Sequence, residues 1–264
     1  MLNDFFIEHD ISWPKCVAMC TDGARAMVGL KSGLHVLIKD VAPNVMWMHC
    51  MLHRENLVAK DMNAELSEIM DSAVRTRLFS LLGDAAGEEH SALLYHSGVR
   101  WLSRGAVLAR VFELRASIGE FLAAHNSAEL AEHFNDKTWL TKLAYLSDLY
   151  SEMNRLNSSM QGRNTHVIQL YDRMKGFLKK VQRWRERIRE GTFSMFPSVE
   201  ELGESAVLSP HLTRTIIAHL EALGEFGRYF SEAESWQKDK TWVQFPFKDT
   251  AANGSSITQK PSGG

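Results

Sequence analysis

Apolar residues along this chain change period near residue 60. Before that point they come in short runs. Lys15 to Thr21 (Lys-Cys-Val-Ala-Met-Cys-Thr) stops at Asp22-Gly23, and Val45 to Met48 follows Pro43-Asn44. Runs that brief, closed by turn residues, predict buried strands. Between them Met27, Leu30, Leu34, Leu37, Ile38 and Val41 recur at helical spacing and predict one helix over Ala24 to Asp40. A further helix is predicted to begin near Leu52. Strand, helix, strand, helix is the order of an α/β layer.

From about Ala64 the strand signal fades. One amphipathic stripe runs through Val107, Leu108, Val111, Phe112, Leu114, Ile118, Phe121 and Leu122, and a second from Leu140 to Met160. A third covers Val167 to Ile188 and a fourth Leu212 to Phe230, with breaks at Asn126-Ser127, Gln161-Gly162, Gly191 to Pro197 and Gly203 to Pro210. These stripes predict helices longer than the average three turns. Lys248 to Gly264 has almost nothing to bury and is expected to be poorly ordered. The predicted organisation is an α/β part over residues 1–62, a helical region over 63–235 and a tail over 236–264, predominantly α overall.

Composition adds limits. Hydrophobic residues make up 45% and charged residues 23%, the balance of a globular protein with a real core. The net charge is −2, so a nucleic-acid footprint has to be sought locally. Three cysteines, Cys16, Cys20 and Cys50, are too few and too odd for a disulfide framework, which favours a reducing compartment. The acidic start, Met1 to Asp10, does not read as a signal peptide, and no apolar stretch nears the roughly 18 residues of a membrane span, so no membrane partner is expected.

Three places carry candidate chemistry. Asp22 in Cys20-Thr-Asp-Gly-Ala24 follows a predicted strand, and ligands of open α/β sheets bind beyond the carboxyl ends of strands. A carboxylate there suits magnesium. It equally suits a helix cap or an Asx turn. Cys50 and His53, in His49-Cys-Met-Leu-His53, are spaced to meet on one helical turn, yet no second ligand pair accompanies them and zinc is not expected. Arg163 to Glu190 holds nine basic residues against three acidic ones, an excess of six on a nearly neutral chain. With Phe177 and Trp184 interleaved it reads as a phosphate-gripping stripe, carried by Lys179, Lys180, Arg183 and Arg187, or as a solvated helix face. Ser32 in Gly29-Leu-Lys-Ser-Gly33 has the wrong order and spacing for a phosphate loop.

Four landmarks occur in order: Cys-Thr-Asp22-Gly-Ala; His49-Cys50-x-x-His53; His96-Ser-Gly-Val-Arg100-Trp101-Leu-Ser-Arg104-Gly105; and Leu156-Asn157-x-x-Met160-Gln161-Gly162. This series resembles transposase-derived host proteins of the hAT superfamily. The nearest groups are the zinc finger BED domain-containing and SCAN domain-containing proteins and the general transcription factor II-I repeat relatives. The resemblance implies an RNase H-like core interrupted by a helical insertion, with an Asp-Asp-Glu triad holding two magnesium ions. Asp22 matches the second Asp of that triad, as a remnant. Cys50 and His53 match the family's C-x-x-H motif. Arg100 and Trp101 match the R-W position before the insertion, where the family places an aromatic near the DNA end.

The departures are as informative. Only 21 residues precede Asp22, and Asp4 and Asp10 sit in no context matching the first triad Asp. Neither the triad Glu nor a BED finger is found. The expectation is a domesticated, catalytically inactive remnant, nuclear, needing no cofactor and binding DNA weakly, other proteins or itself. The alternative is a truncated record of an active transposase that uses magnesium.

Overall fold

The computed structural model describes residues 2–16, 18–50, 62–84, 102–125, 128–161 and 167–225. Among the described residues helix accounts for 75% and strand for 4%, which meets the expectation of a predominantly α chain. The predicted helix near Leu52 and the tail from residue 236 lie outside the described residues.

The chain opens with α1 (Leu2–Glu8), a helix not anticipated from the sequence, and a 3-10 turn at Trp13–Lys15. Pro14 falls in that turn, so the first strand, β1 (Ala18–Thr21), starts later than the apolar run does. It pairs in parallel with β2 (Met46–His49), in the register Ala18↔Met46 through Thr21↔His49. A parallel pair needs a crossover, and here two helices supply it, α2 (Arg25–Val28) and α3 (Leu34–Val41). Ile38, Ala42 and Val45 form a small core with Trp13, Met19, Leu34 and Trp47 packed on it.

The single helix expected over Ala24 to Asp40 is therefore two. Gly29 leaves helical geometry at ψ 130°, and a Cβ on Gly33 would lie 2.4 Å from the Gly29 nitrogen. Only a side chain reduced to hydrogen permits that approach. Leu30, counted in the apolar period, falls in the break and is 89% exposed.

The helical body comprises α4 (Ala64–Asp84), α5 (Leu102–Glu113), α6 (Arg115–Ala124), α7 (Ala128–Asn135), α8 (Lys137–Met160), α9 (Val167–Arg189), α10 (Pro197–Glu201) and α11 (Pro210–Glu225). The stripe from Val107 to Leu122 breaks at Leu114 into α5 and α6. The short helices α7 and α10 were not foreseen. Residues 140–190 contain no strand among those described, as expected.

Helix α8 is the axis of the body. Leu143, Ala144, Tyr145, Leu146 and Ser147 are all buried in succession. Five consecutive positions exceed a full turn, so no side of the helix meets water there. It packs against α4, α5, α7, α9 and α10. Truncating such a residue, Leu143 or Leu146, to Ala costs about 2–5 kcal/mol by the usual cavity penalty.

Capping residues start three of these helices. Asp136 Oδ1 accepts from Thr138 N at 2.8 Å ahead of α8, Asn63 Oδ1 from Leu66 N at 2.9 Å ahead of α4, and Ser209 Oγ from Leu212 N at 3.1 Å ahead of α11. Gly191 ends α9 at φ +80°, with Thr192 N donating to Arg187 O and Gly191 N to Ile188 O. That pair of bonds is the Schellman closure, which favours glycine because its φ is positive.

Buried polar groups on α8 are tied to neighbouring elements. Thr141 Oγ1 donates to Lys137 O and accepts from Val207 N. Asp148 accepts from the Ser198 amide at 2.9 Å and its hydroxyl at 2.7 Å, holding the start of α10, while burial raises its carboxyl pKa above the usual value. Glu65 of α4 pairs with Lys142 of α8, and that contact lowers its carboxyl pKa.

Tyr145 OH and His219 Nδ1 of α11 share a 3.0 Å hydrogen bond inside the core. Burial lowers the imidazole pKa from 6.5 to about 4. The unfolded chain therefore binds a proton here that the fold refuses, so stability falls as pH drops from about 6.5 towards 4 and then levels off. The full effect is on the order of 3 kcal/mol. Thermal melts between pH 7 and 5 should show this loss. His219→Gln, which keeps a hydrogen-bonding group but does not titrate, should flatten the dependence; an equally steep profile in the variant would assign it elsewhere.

Candidate nucleic-acid interface

Two surfaces hold the residues singled out in the sequence. The first is the carboxyl edge of the sheet. Because β1 and β2 run parallel and Thr21 pairs with His49, the residues that follow them, Asp22 and Cys50, emerge at the same edge. Cys50 N donates to Thr21 O at 2.7 Å, which extends the ladder to that point. Asp22 is exposed, and its Oδ1 accepts from Ala24 N at 3.1 Å. The bond spans two residues and makes an Asx turn. The N-cap of α2 is Ala24, with no side-chain cap, so Asp22 shapes the turn rather than capping the helix.

Among the described residues, Asp22 and Cys50 are the metal-ligand types of the two motifs that meet at this edge. Among the described residues no three His, Cys, Asp or Glu side chains gather closely enough to hold a metal ion. His53, the partner of Cys50 in the motif, lies outside the described residues, as do Arg100 and Trp101.

The described parts of the other motifs are structural. Gly105 is buried where α5 crosses α8, and a Cβ there would lie 2.5 Å from Asn154 Nδ2 and 3.1 Å from Tyr150 Cβ. Asn157 and Met160 are buried in the last turns of α8, and Asn157 Oδ1 accepts from Gln161 Nε2 at 2.5 Å.

The second surface is α9. Its apolar positions Met174, Phe177, Val181, Trp184 and Ile188 are buried. The interleaved aromatics are therefore core residues. Trp184, 4% exposed, packs against Phe177 and against Phe196 of the following loop. Phe177 and Trp184, interleaved with the basic residues in the expected phosphate-gripping stripe, are thus taken up by packing, although both lie beside the cations on the helix surface.

Packing also sorts the cations. Arg185 and Arg189 both reach Glu221 of α11, at 3.6 and 2.8 Å. Lys180 pairs with Glu152 of α8 at 2.6 Å and lies over the Trp184 ring. These three fasten α9 to its neighbours. Arg173, Lys179, Arg183 and Arg187 are exposed and form no ion pair among the described residues. Lys179, Arg183 and Arg187 stand four residues apart, a row that climbs about 6 Å per step along one side of the helix. Beside it a groove of about 410 Å³ is lined by Lys180, Arg183, Trp184, Arg187, Glu186, Glu190 and Met195. Sequence counting found the excess of charge. It could not separate free cations from tethered ones, because Glu152 and Glu221 are far away in the chain.

Comparison with known proteins bears on what these surfaces belong to. The family model described as the FAM200/GTF2IRD2 helical domain matches residues 49–189. The chain belongs to that FAM200/GTF2IRD2-like family. It is 26% identical over 260 residues to general transcription factor II-I repeat domain-containing protein 2 of Mus musculus, covering 92% of this chain and 27% of the relative. The Bos taurus protein of the same name is 25% identical over 255 residues, 91% of this chain and 26% of the relative. The chain thus spans about a quarter of the length of the curated relatives it matches. No solved structure matches it. The general transcription factor II-I part of the resemblance holds, and with it a transposase-derived, domesticated family. No helix among the described residues is long and apolar enough to cross a membrane.

An exposed Asx turn contributes little, so Asp22→Ala should lower stability by less than about 1 kcal/mol. A larger loss in denaturant titrations would show Asp22 holding more than its own turn.

Proposed function

We propose that this chain is a domesticated remnant of a hAT transposase, catalytically inactive and nuclear, whose helical body holds DNA through the free cationic row of α9. Residues 1–62 correspond in this reading to part of an RNase H-like core and residues 63–235 to the helical region with the insertion. The observation that carries it is the row itself: exposed cations on one face of a chain whose net charge is −2. Counterion release favours such a row on any phosphate backbone, whatever its sequence. Family membership supports the descent. Under this reading Cys50 and His53 are structural remnants, and Arg100 and Trp101 are the remnant of the family's DNA-end contact. No cofactor is needed.

With no module to read base edges, binding is weak and tolerant of sequence. Fluorescence anisotropy with a short duplex across a salt series tests this. Replacing Lys179, Arg183 and Arg187 together with Ala should flatten the log–log salt slope by up to about three units, at roughly 0.9 per phosphate contact. Lys180 stays in place because it ties α9 to α8, and Asp22→Ala should bind as the parent does. Absence of binding by the parent at low salt, or undiminished binding by the triple variant, would leave α9 as a solvated face.

A further inference from the structure

The cationic face of α9 contains a residue that packing does not require. Gly176 lies in the helix interior and is exposed, and a Cβ built on it would meet nothing within 4 Å. Glycine is the poorest helix former after proline, so any ordinary side chain would suit the folded helix better. Several other glycines of the body have visible reasons, whereas a Cβ on Gly224 of α11 would make only an ordinary 3.7 Å contact with Arg185 Nη1. A Cβ on Gly105 would collide with α8, one on Gly119 would press to 3.1 Å of Phe134 Cβ, and Gly191 has a positive φ. Gly176 has none within the fold.

Its position gives it one outside. At about 100° per residue, Gly176 falls within about 60° of Arg173, Lys179, Lys180, Arg183 and Arg187 on the helix surface. The one gap in the ridge of side chains thus sits among the cations. A missing side chain lets a ligand reach the main chain, which is a recognised use of glycine.

We propose that Gly176 is the point of closest approach between α9 and the sugar–phosphate backbone of duplex DNA, with Arg173 on one side and Lys179 and Arg183 on the other taking the flanking phosphates. Charge complementarity selects the occupant, since the cations around the gap include Arg173, Lys179, Arg183 and Arg187, which have no acidic partner among the described residues. The inference rests on the DNA-binding reading above and adds to it a steric requirement.

The test uses Gly176→Ala and Gly176→Gln in the full chain. Both should melt at or above the parent's temperature, because the space is open and the helix gains a better former. Both should nevertheless bind a short duplex more weakly at low salt, Gly176→Gln by about tenfold and Gly176→Ala by less, a difference well within what anisotropy resolves. The salt slope of Gly176→Gln should stay at the parent's value, since no charge is removed. If Gly176→Gln binds like the parent while the Lys179/Arg183/Arg187 triple variant loses binding, close approach at Gly176 is wrong and the DNA reading stands. If the parent binds no duplex at low salt, that reading fails and this one with it. If the face binds polyglutamate in preference to duplex, the occupant is an acidic protein and the assignment to DNA is overturned.

Discussion

Five successive buried residues, Leu143 to Ser147, commit α8 to being enclosed. A helix on a surface can satisfy its apolar stripe with one neighbour, whereas one with no wet side needs neighbours all round. That demand explains why α4, α5, α7, α9 and α10 all pack on it. It also explains the polar ties of the core. Thr141, Tyr145 and Asp148 lie on this helix and each would cost free energy if left unpartnered, so they fix the Val207 amide, His219 and Ser198 in place.

The surface of α9 follows from that arrangement. Docking its apolar face against α8 and α11 brings Glu152 within reach of Lys180, and Glu221 within reach of Arg185 and Arg189. Each such pair is worth little in stability when partly exposed. Its larger consequence is to remove a cation from the free surface. What remains is a narrow row with Gly176 among it, a more specific object than an excess of basic residues.

Much of the fold was legible in the sequence for simple reasons. The strands announced themselves as short apolar runs, one ended by Asp22-Gly23 and one following Pro43-Asn44, and the 3.6-residue stripes located α8, α9 and α11. Where reading failed, distance in space was the cause. Gly29 and Gly33 break a helix by touching each other, and no window of apolar residues reports that. Helix α10 starts where Asp148, fifty positions earlier, offers its carboxylate. The caps Asn63, Asp136 and Ser209 were visible as residue types one position before their helices and would have sharpened the boundaries. At the candidate site, Asp22 and Cys50 were picked out one by one, but only the parallel register puts them at one edge. Phe177 and Trp184 were counted with the cations because they alternate with them in sequence, although packing against the core and Phe196 buries them.

The central claim is that packing leaves one face of α9 free for a polyanion. Mass-spectrometric footprinting of lysine reactivity, with and without a DNA duplex at low salt, addresses it directly. The account predicts that Lys179, at the centre of the row, becomes markedly less reactive when duplex is added, while Lys137, at the start of α8, and Lys39, on α3, do not change. Equal protection of all three lysines, or none at Lys179, would contradict it.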